Sequence, residues 1–276
     1  MHSNPFKKMK RSYFTILLLI LSAIASANGW HITTRYFSKN ENPANARIEQ
    51  VYLFNGYMKM VTGDLTTIFD IRNGEIIYIN HNAQRYWKGS PAKFNTEVKA
   101  ELEIIIDQQL YGMESEQQEV MRAMYQEMLK ASFPDASQAI QAPRNFSVRK
   151  EKDGEMVSGF TSTLYRVTED NMPFESIWIS PDLPIAKDFD FISLSQFLNQ
   201  LASGAYAISF ESTREYFNLI EKGYPVKIEM FRSDGTTDIS EVIDAQRVNL
   251  TPKDFAVPSG FVAGTLSDVG VWDGYR

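Results

Sequence analysis

Three closely spaced glycine turns constrain this chain more than any other feature of it. Asn55-Gly56, Thr62-Gly63-Asp64 and Arg72-Asn73-Gly74 supply the positive φ angles that tight hairpins need. The segments they separate, 48–54, 57–61, 66–71, 75–80 and 84–88, are short and rich in β-branched and aromatic residues, which is strand composition. Connections this short join antiparallel neighbours, so the spacing predicts a meander. A first strand, Trp30-His31-Ile32-Thr33-Thr34-Arg35-Tyr36-Phe37, precedes it, followed by a polar loop near 40–45.

From Thr96 the period changes to that of a helix. Val98, Leu102, Ile105, Ile106, Gln109 and Leu110 fall on one stripe and Gly112 follows, which predicts an amphipathic helix and its stop. Ser115-Glu116-Gln117-Gln118 has the form of a capping box and opens a second helix. Its apolar side is Met121, Met124, Tyr125, Met128 and Leu129, and it ends at Phe133-Pro134 before a Pro/Ala/Gln-rich link to Pro143.

Strand character returns over 145–150. A Lys152-Asp153-Gly154 turn, a long strand over 155–167, a Glu169-Asp170-Asn171 turn and a strand over 174–180 are expected next. Ser193 to Gln196 repeats the capping-box pattern for a short helix that Gly204 closes, and 209–221 reads as helical up to Lys222-Gly223. A last hairpin runs over 226–232 and 237–248 around Ser233-Asp234-Gly235. The expectation is about eleven strands with helical insertions near 96–132 and 191–222.

The first 27 residues set the address. Lys7-Lys8-Met9-Lys10-Arg11 precedes an apolar run from Tyr13 to Ala25 that closes on Ala25-Ser26-Ala27, the pattern of a secretory signal cut after Ala27. The formal charge of -6 then becomes about -10 for the exported chain. No dense basic cluster survives, which argues against nucleic acid as a partner. The absence of cysteine excludes disulfides, thiolate metal sites and cysteine nucleophiles. Together these features fit a periplasmic protein of one domain over 28–262 with a tail over 263–276.

The order of these elements resembles a known superfamily. Ile48 to Lys88, with Asp70-Ile71-Arg72-Asn73-Gly74 before Ile77-Tyr78, is similar to the strand and turn pattern of the LolA-like lipoprotein carriers. So is the closing stretch, Tyr224-Pro225-Val226 through Asn249-Leu250-Thr251-Pro252 to Phe255-Ala256-Val257-Pro258-Ser259-Gly260-Phe261. Glu175-Ser176-Ile177-Trp178-Ile179-Ser180 and Lys222-Gly223-Tyr224-Pro225 more closely resemble the bacterial family called domain of unknown function 4412. The resemblance implies an α+β fold: a curved antiparallel sheet forming an unclosed barrel, with helices as lid or plug and an apolar interior. The carriers begin with a long helix, whereas this chain enters a strand at Trp30, so the lid must come from the 96–132 helices.

Val120, Met121, Met124, Tyr125 and Met128 are candidates to line an acyl-chain pocket, because thioethers adapt to irregular apolar ligands. Phe174, Trp178, Leu194, Phe197 and Leu198 are candidates to complete it. Each of these stripes is equally what core packing requires. Alternation places Phe174 and Trp178 on one face of their strand and Ile177 and Ile179 on the other. His31 and His81, the two histidines left after cleavage, lack the spacing of a shared metal site. Asp182, Asp188 and Asp190 read as a solvated, helix-capping loop rather than a calcium loop. Nucleophile elbows, phosphate loops and dinucleotide fingerprints are missing from the sequence, so no catalytic residue, metal or cofactor is expected. The expected function is non-enzymatic: holding a lipid or other hydrophobic small molecule between sheet and lid. The alternative is an envelope protein-interaction module without a cavity.

Overall fold

A computed structural model of the chain describes residues 28–132, 144–201 and 209–271, with backbone alone for 128–132. The signal segment, the proline-rich link, Gly204 and the aromatic tail 272–276 lie outside the described residues. Twelve strands, β1 (Gly29–Ser38), β2 (Arg47–Phe54), β3 (Tyr57–Thr62), β4 (Leu65–Asp70), β5 (Glu75–Asn80), β6 (Arg85–Gly89), β7 (Phe146–Val157), β8 (Phe160–Glu169), β9 (Met172–Ser180), β10 (Tyr224–Phe231), β11 (Thr237–Val248) and β12 (Val262–Ala263), make one sheet. Four α-helices accompany it: α1 (Pro91–Leu110), α2 (Ser115–Ser132), α3 (Phe191–Leu198) and α4 (Arg214–Ile220).

The strand order is β12-β6-β5-β4-β3-β2-β1-β11-β10-β9-β8-β7. The predicted meander is therefore present as β1 to β6. The first strand then pairs with the eleventh, from Gly29 opposite Val248 to Ser38 opposite Asp238, with one bulge where Ile243 is left over between Thr33 and Thr34. That pairing ties the meander to the second half of the sheet. β12 and β7 are both edges, so the curved sheet stays open.

Alternation on β4 and β5 sends residues to two covered sides. Phe69 and Ile76 lie beneath α1, α3 and the C-terminal turn, packed with Trp87, Val98, Phe197, Leu266 and Val269. Ile68, Ile77 and Ile79 lie on the other side, under Leu250 and Phe255 of the segment that follows β11. The period-2 pattern of each strand is in this way apolar on both faces for a structural reason.

Several sequence expectations shift in detail. The hairpin between β7 and β8 turns at Ser158-Gly159, both at positive φ (49° and 88°), and not at Lys152-Asp153-Gly154. The latter sits inside β7 as a register shift opposite β8, with Gly154 at φ 70°, as a bulge requires. Helix α1 starts at Pro91, five residues before Thr96, because Ser90 accepts the Lys93 amide and proline fits the first turn. Asp190, not Ser193, caps α3 by accepting the Ser193 amide and hydroxyl. The span 209–221 is a 3-10 turn at Phe210–Ser212 followed by α4, which Thr213 caps.

The stretch expected as a tail after residue 262 packs on the domain over its described part. β12 pairs in parallel with β6, and Leu266, with 0% of its surface exposed, and Val269 belong to the core. Residues 263–271 thus close over the cluster beneath α1.

Candidate functional site

The face that the sequence nominated for a ligand is filled by the chain itself. Trp30, Ile32, Val51 and Leu53 from β1 and β2 pack with Val226 and Val242, with Leu183, Ile185 and Phe189 from the connection leading into α3, and with Leu194 of α3 itself. Met58, Met60, Ile71 and Leu198 bridge this cluster to the one under α1. Phe197 meets Phe69 edge to face at 6.1 Å. A third cluster, Tyr165, Val167, Ile177 and Ile179, is capped by Phe210 and by Leu219 of α4.

The ten candidate residues do not surround one chamber. Leu194 and Trp178 join the Trp30 cluster, Phe197 the Phe69 cluster, and Leu198 touches both. Phe174 packs with the Ile177 cluster, its ring tilted against that of Phe146 at 5.3 Å, so it does not share a side with Trp178 as alternation predicts. Thr168 pairs with Pro173 and Val167 with Glu175. Phe174 is thus the extra residue of a bulge, which re-aims its side chain.

The helical hairpin departs most from the expected lid. Met121 and Tyr125 of α2 pack on Ile106 and Leu110 of α1, so within the described residues α2 rests on its partner helix. Val120 and Met124 are 66% and 54% exposed and Tyr111, at the hairpin bend, is 91% exposed. The side chain of Met128 lies outside the described residues. Of the twelve large hydrophobic side chains left exposed among the described residues, Ile104, Tyr111, Met113, Val120 and Met124 belong to this one hairpin.

A buried polar group, which sequence reasoning missed, occupies the same interior. Tyr36 donates to Glu49 Oε1 at 2.9 Å and Thr62 to Glu49 Oε2 at 3.2 Å. Burial, then the Glu49 charge, raises the Tyr36 phenol above its ordinary range and pushes Tyr224 up to about 12. Tyr216 is raised by burial and then by Glu211. Glu175 on β9 is 1% exposed, and neither of its oxygens has a hydrogen-bond partner among the described residues. Burial, reinforced by Glu211, raises it to about 8, so at neutral pH it is a neutral acid. Its place in a strand that continues into the apolar run Ile177-Trp178-Ile179 was the available signal.

The three aspartates before α3 have separate tasks. Asp190 caps the helix, Asp188 accepts from the Trp30 indole at 3.1 Å and the Arg247 guanidinium at 2.7 Å, and Asp182 accepts the Thr161 amide at 3.1 Å.

The sheet and its helices define an α+β protein built on one curved, unclosed sheet that is antiparallel except where β12 joins β6. No protein-family profile matches the chain, including that of domain of unknown function 4412, and no curated protein matches it in sequence. Solved structures that resemble it include MucB, at 8% identity and a TM-score of 0.34, with 84% of this chain and 58% of MucB covered. They also include a putative outer membrane lipoprotein-sorting protein domain from Vibrio parahaemolyticus (9% identity, TM-score 0.28, 84% of this chain and 90% of that one). A LolA superfamily protein from Nitrosomonas europaea (6%, 0.26, 83% and 89%) is a third. The chain spans little more than half the length of MucB.

Proposed function

We propose that this chain is an exported, non-enzymatic binding protein of the bacterial envelope that meets an apolar surface of a protein partner through the α1–α2 hairpin. One observation carries the reading: exposed apolar side chains concentrate on a helix pair whose second member packs on the first. Clustered exposed hydrophobics mark contact sites more than stability, and Val120 and Met124 stand one helical turn apart on the same stripe.

A photo-crosslinking side chain at position 120 or 124, in cells of the source organism, is expected to give one discrete protein adduct. The Val120→Asp, Met124→Asp double variant should lose adduct formation from position 113 while keeping its melting temperature. Absence of any adduct from all three positions ends this reading.

A second reading, lipid held between sheet and helices, is favoured by one specific feature. The thioethers of Met58 and Met60 bridge two apolar clusters beneath Leu198, and a displaced α3 would open an apolar trough there. Mass spectrometry of organic extracts from the purified protein distinguishes the two: stoichiometric acyl lipid supports this reading, and a clean extract opposes it.

A further inference from the structure

Two arginines face each other across the outermost strand pair. Arg149 on the edge strand β7 is in register with Arg166 on β8, so both guanidiniums emerge on the same side of the sheet. Like charges directly opposite in a ladder are unfavourable, yet the neighbourhood neutralises only one of them. Arg166 donates to Glu151 and to the Ser176 hydroxyl. Arg149 has no acceptor among the described residues and is exposed to solvent.

These residues border a groove of about 640 Å³ that runs toward the β10–β11 turn. Arg232 lines its far side and is itself paired with Asp238 at 2.6 Å. Its apolar wall includes Val167, Pro173 and Phe231. The turn opposite is held rigid, because Asp234 Oδ1 accepts both the amide and the hydroxyl of Thr236, at 2.9 and 2.6 Å. The groove thus combines a volume in the range of small-molecule sites with an apolar wall and a polar lining in which Glu151 and Glu175 accompany the three arginines. Its three arginines outnumber its two glutamates by one, on a chain whose formal charge is -6.

Planar guanidinium forks match the geometry of oxyanions, and a phosphate between two of them relieves their mutual repulsion. We propose that this groove binds a small amphiphilic phosphate, its oxygens shared by Arg149 and Arg166 and its apolar body lying on Pro173 and Phe231. The site is separate from the α1–α2 hairpin and stands or falls independently of the partner reading above.

The test is calorimetric titration of the full exported chain with octyl phosphate below its micelle concentration, with inorganic phosphate in parallel. Saturable binding of octyl phosphate, at least tenfold tighter than inorganic phosphate, is expected. Arg149→Gln should weaken it about tenfold or more with an unchanged melting temperature, and Arg149→Lys should recover part of the loss. Phe231→Ser should weaken octyl phosphate while leaving inorganic phosphate as it was. No binding of octyl phosphate at millimolar concentration, equal affinity for inorganic phosphate, or indifference to Arg149→Gln each overturns the proposal. Sedimentation with vesicles containing phosphatidic acid identifies the source of the phosphate. Arg149-dependent association with vesicles supports the site with a lipid headgroup, and binding of octyl phosphate alone supports it with a soluble ester.

Discussion

The indole N–H of Trp87, in the middle of β6, donates to the Glu97 carboxylate on α1, so the first helix is pinned to the sheet by a directed bond as well as by packing. Lys93 adds to the same point, with its ammonium 5.2 Å from the Trp87 ring and 3.6 Å from Glu97. Because α2 rests on α1, this corner fixes the placement of the whole hairpin. Glu97→Ala leaves a buried donor without an acceptor, which costs about 1–3 kcal/mol. A fall in melting temperature of roughly 2–4 °C per kcal/mol is expected. Hydrogen exchange should show earlier opening of α1 than of β1 and β11; equal loss of protection everywhere would mean that the bond does not anchor the hairpin.

Leu266 carries a second testable load. Its amide donates to Glu101 on α1 at 3.1 Å, and its side chain is wholly enclosed with Phe69, Ile76, Trp87 and Phe197. Leu266→Ala therefore opens a cavity under two helices, at a cost of about 2–5 kcal/mol. Urea denaturation should show the loss in the midpoint with the slope unchanged. A variant as stable as the parent would return residues 263–271 to the status of a tail.

How much of this was legible in sequence depends on how local the determining physics is. Asn55-Gly56 and Arg72-Asn73-Gly74 were readable because a left-handed backbone residue between two strand-like runs has one common outcome. Gly154 and Gly159 show the limit: both have positive φ, yet one makes a bulge and the other a turn, and cross-strand pairing with β8 decides which. The same shift of register decides that Arg149 meets Arg166, so the arginine groove was hidden from any reading that turned the chain at Gly154. The stripe Met121 and Tyr125 was visible as apolar. What it packs on, a helix and not the sheet, is a tertiary fact. Leu266 follows a polar turn with no periodic neighbours, and nothing local marks it as core.

Two glycines separate backbone strain from steric exclusion. At Gly159 a Cβ meets no atom within 4 Å, so only the positive φ of 88° opposes a side chain. Gly159→Ala is expected to cost about 1 kcal/mol. At Gly223 a Cβ lies 2.0 Å from the Ser180 carbonyl oxygen, where β10 begins beside the end of β9. Gly223→Ala must push these strands apart, and a loss of about 4 kcal/mol or more is expected. Chemical denaturation of the pair measures both, and equal costs would refute the close approach at Gly223.

Glu175 makes stability depend on pH in a direction opposite to that of a paired carboxylate. Burial, with Glu211 adding, raises its folded pKa to about 8 from an ordinary 4.5. Below pH 4.5 both states hold the proton, and the group's contribution is fully present. As pH rises from there, the unfolded chain releases the proton while the folded one retains it, so stability falls by up to about 1.4 kcal/mol per pH unit from this group. The decline levels off above pH 8, where the folded state also ionises. Glu175→Gln removes the proton equilibrium at nearly constant shape. The difference in unfolding free energy between variant and parent should therefore grow in the variant's favour between pH 4.5 and 8 and stay flat beyond. Parallel stability curves across that window would mean that Glu175 is solvated or partnered in solution, and the buried neutral acid would have to be abandoned.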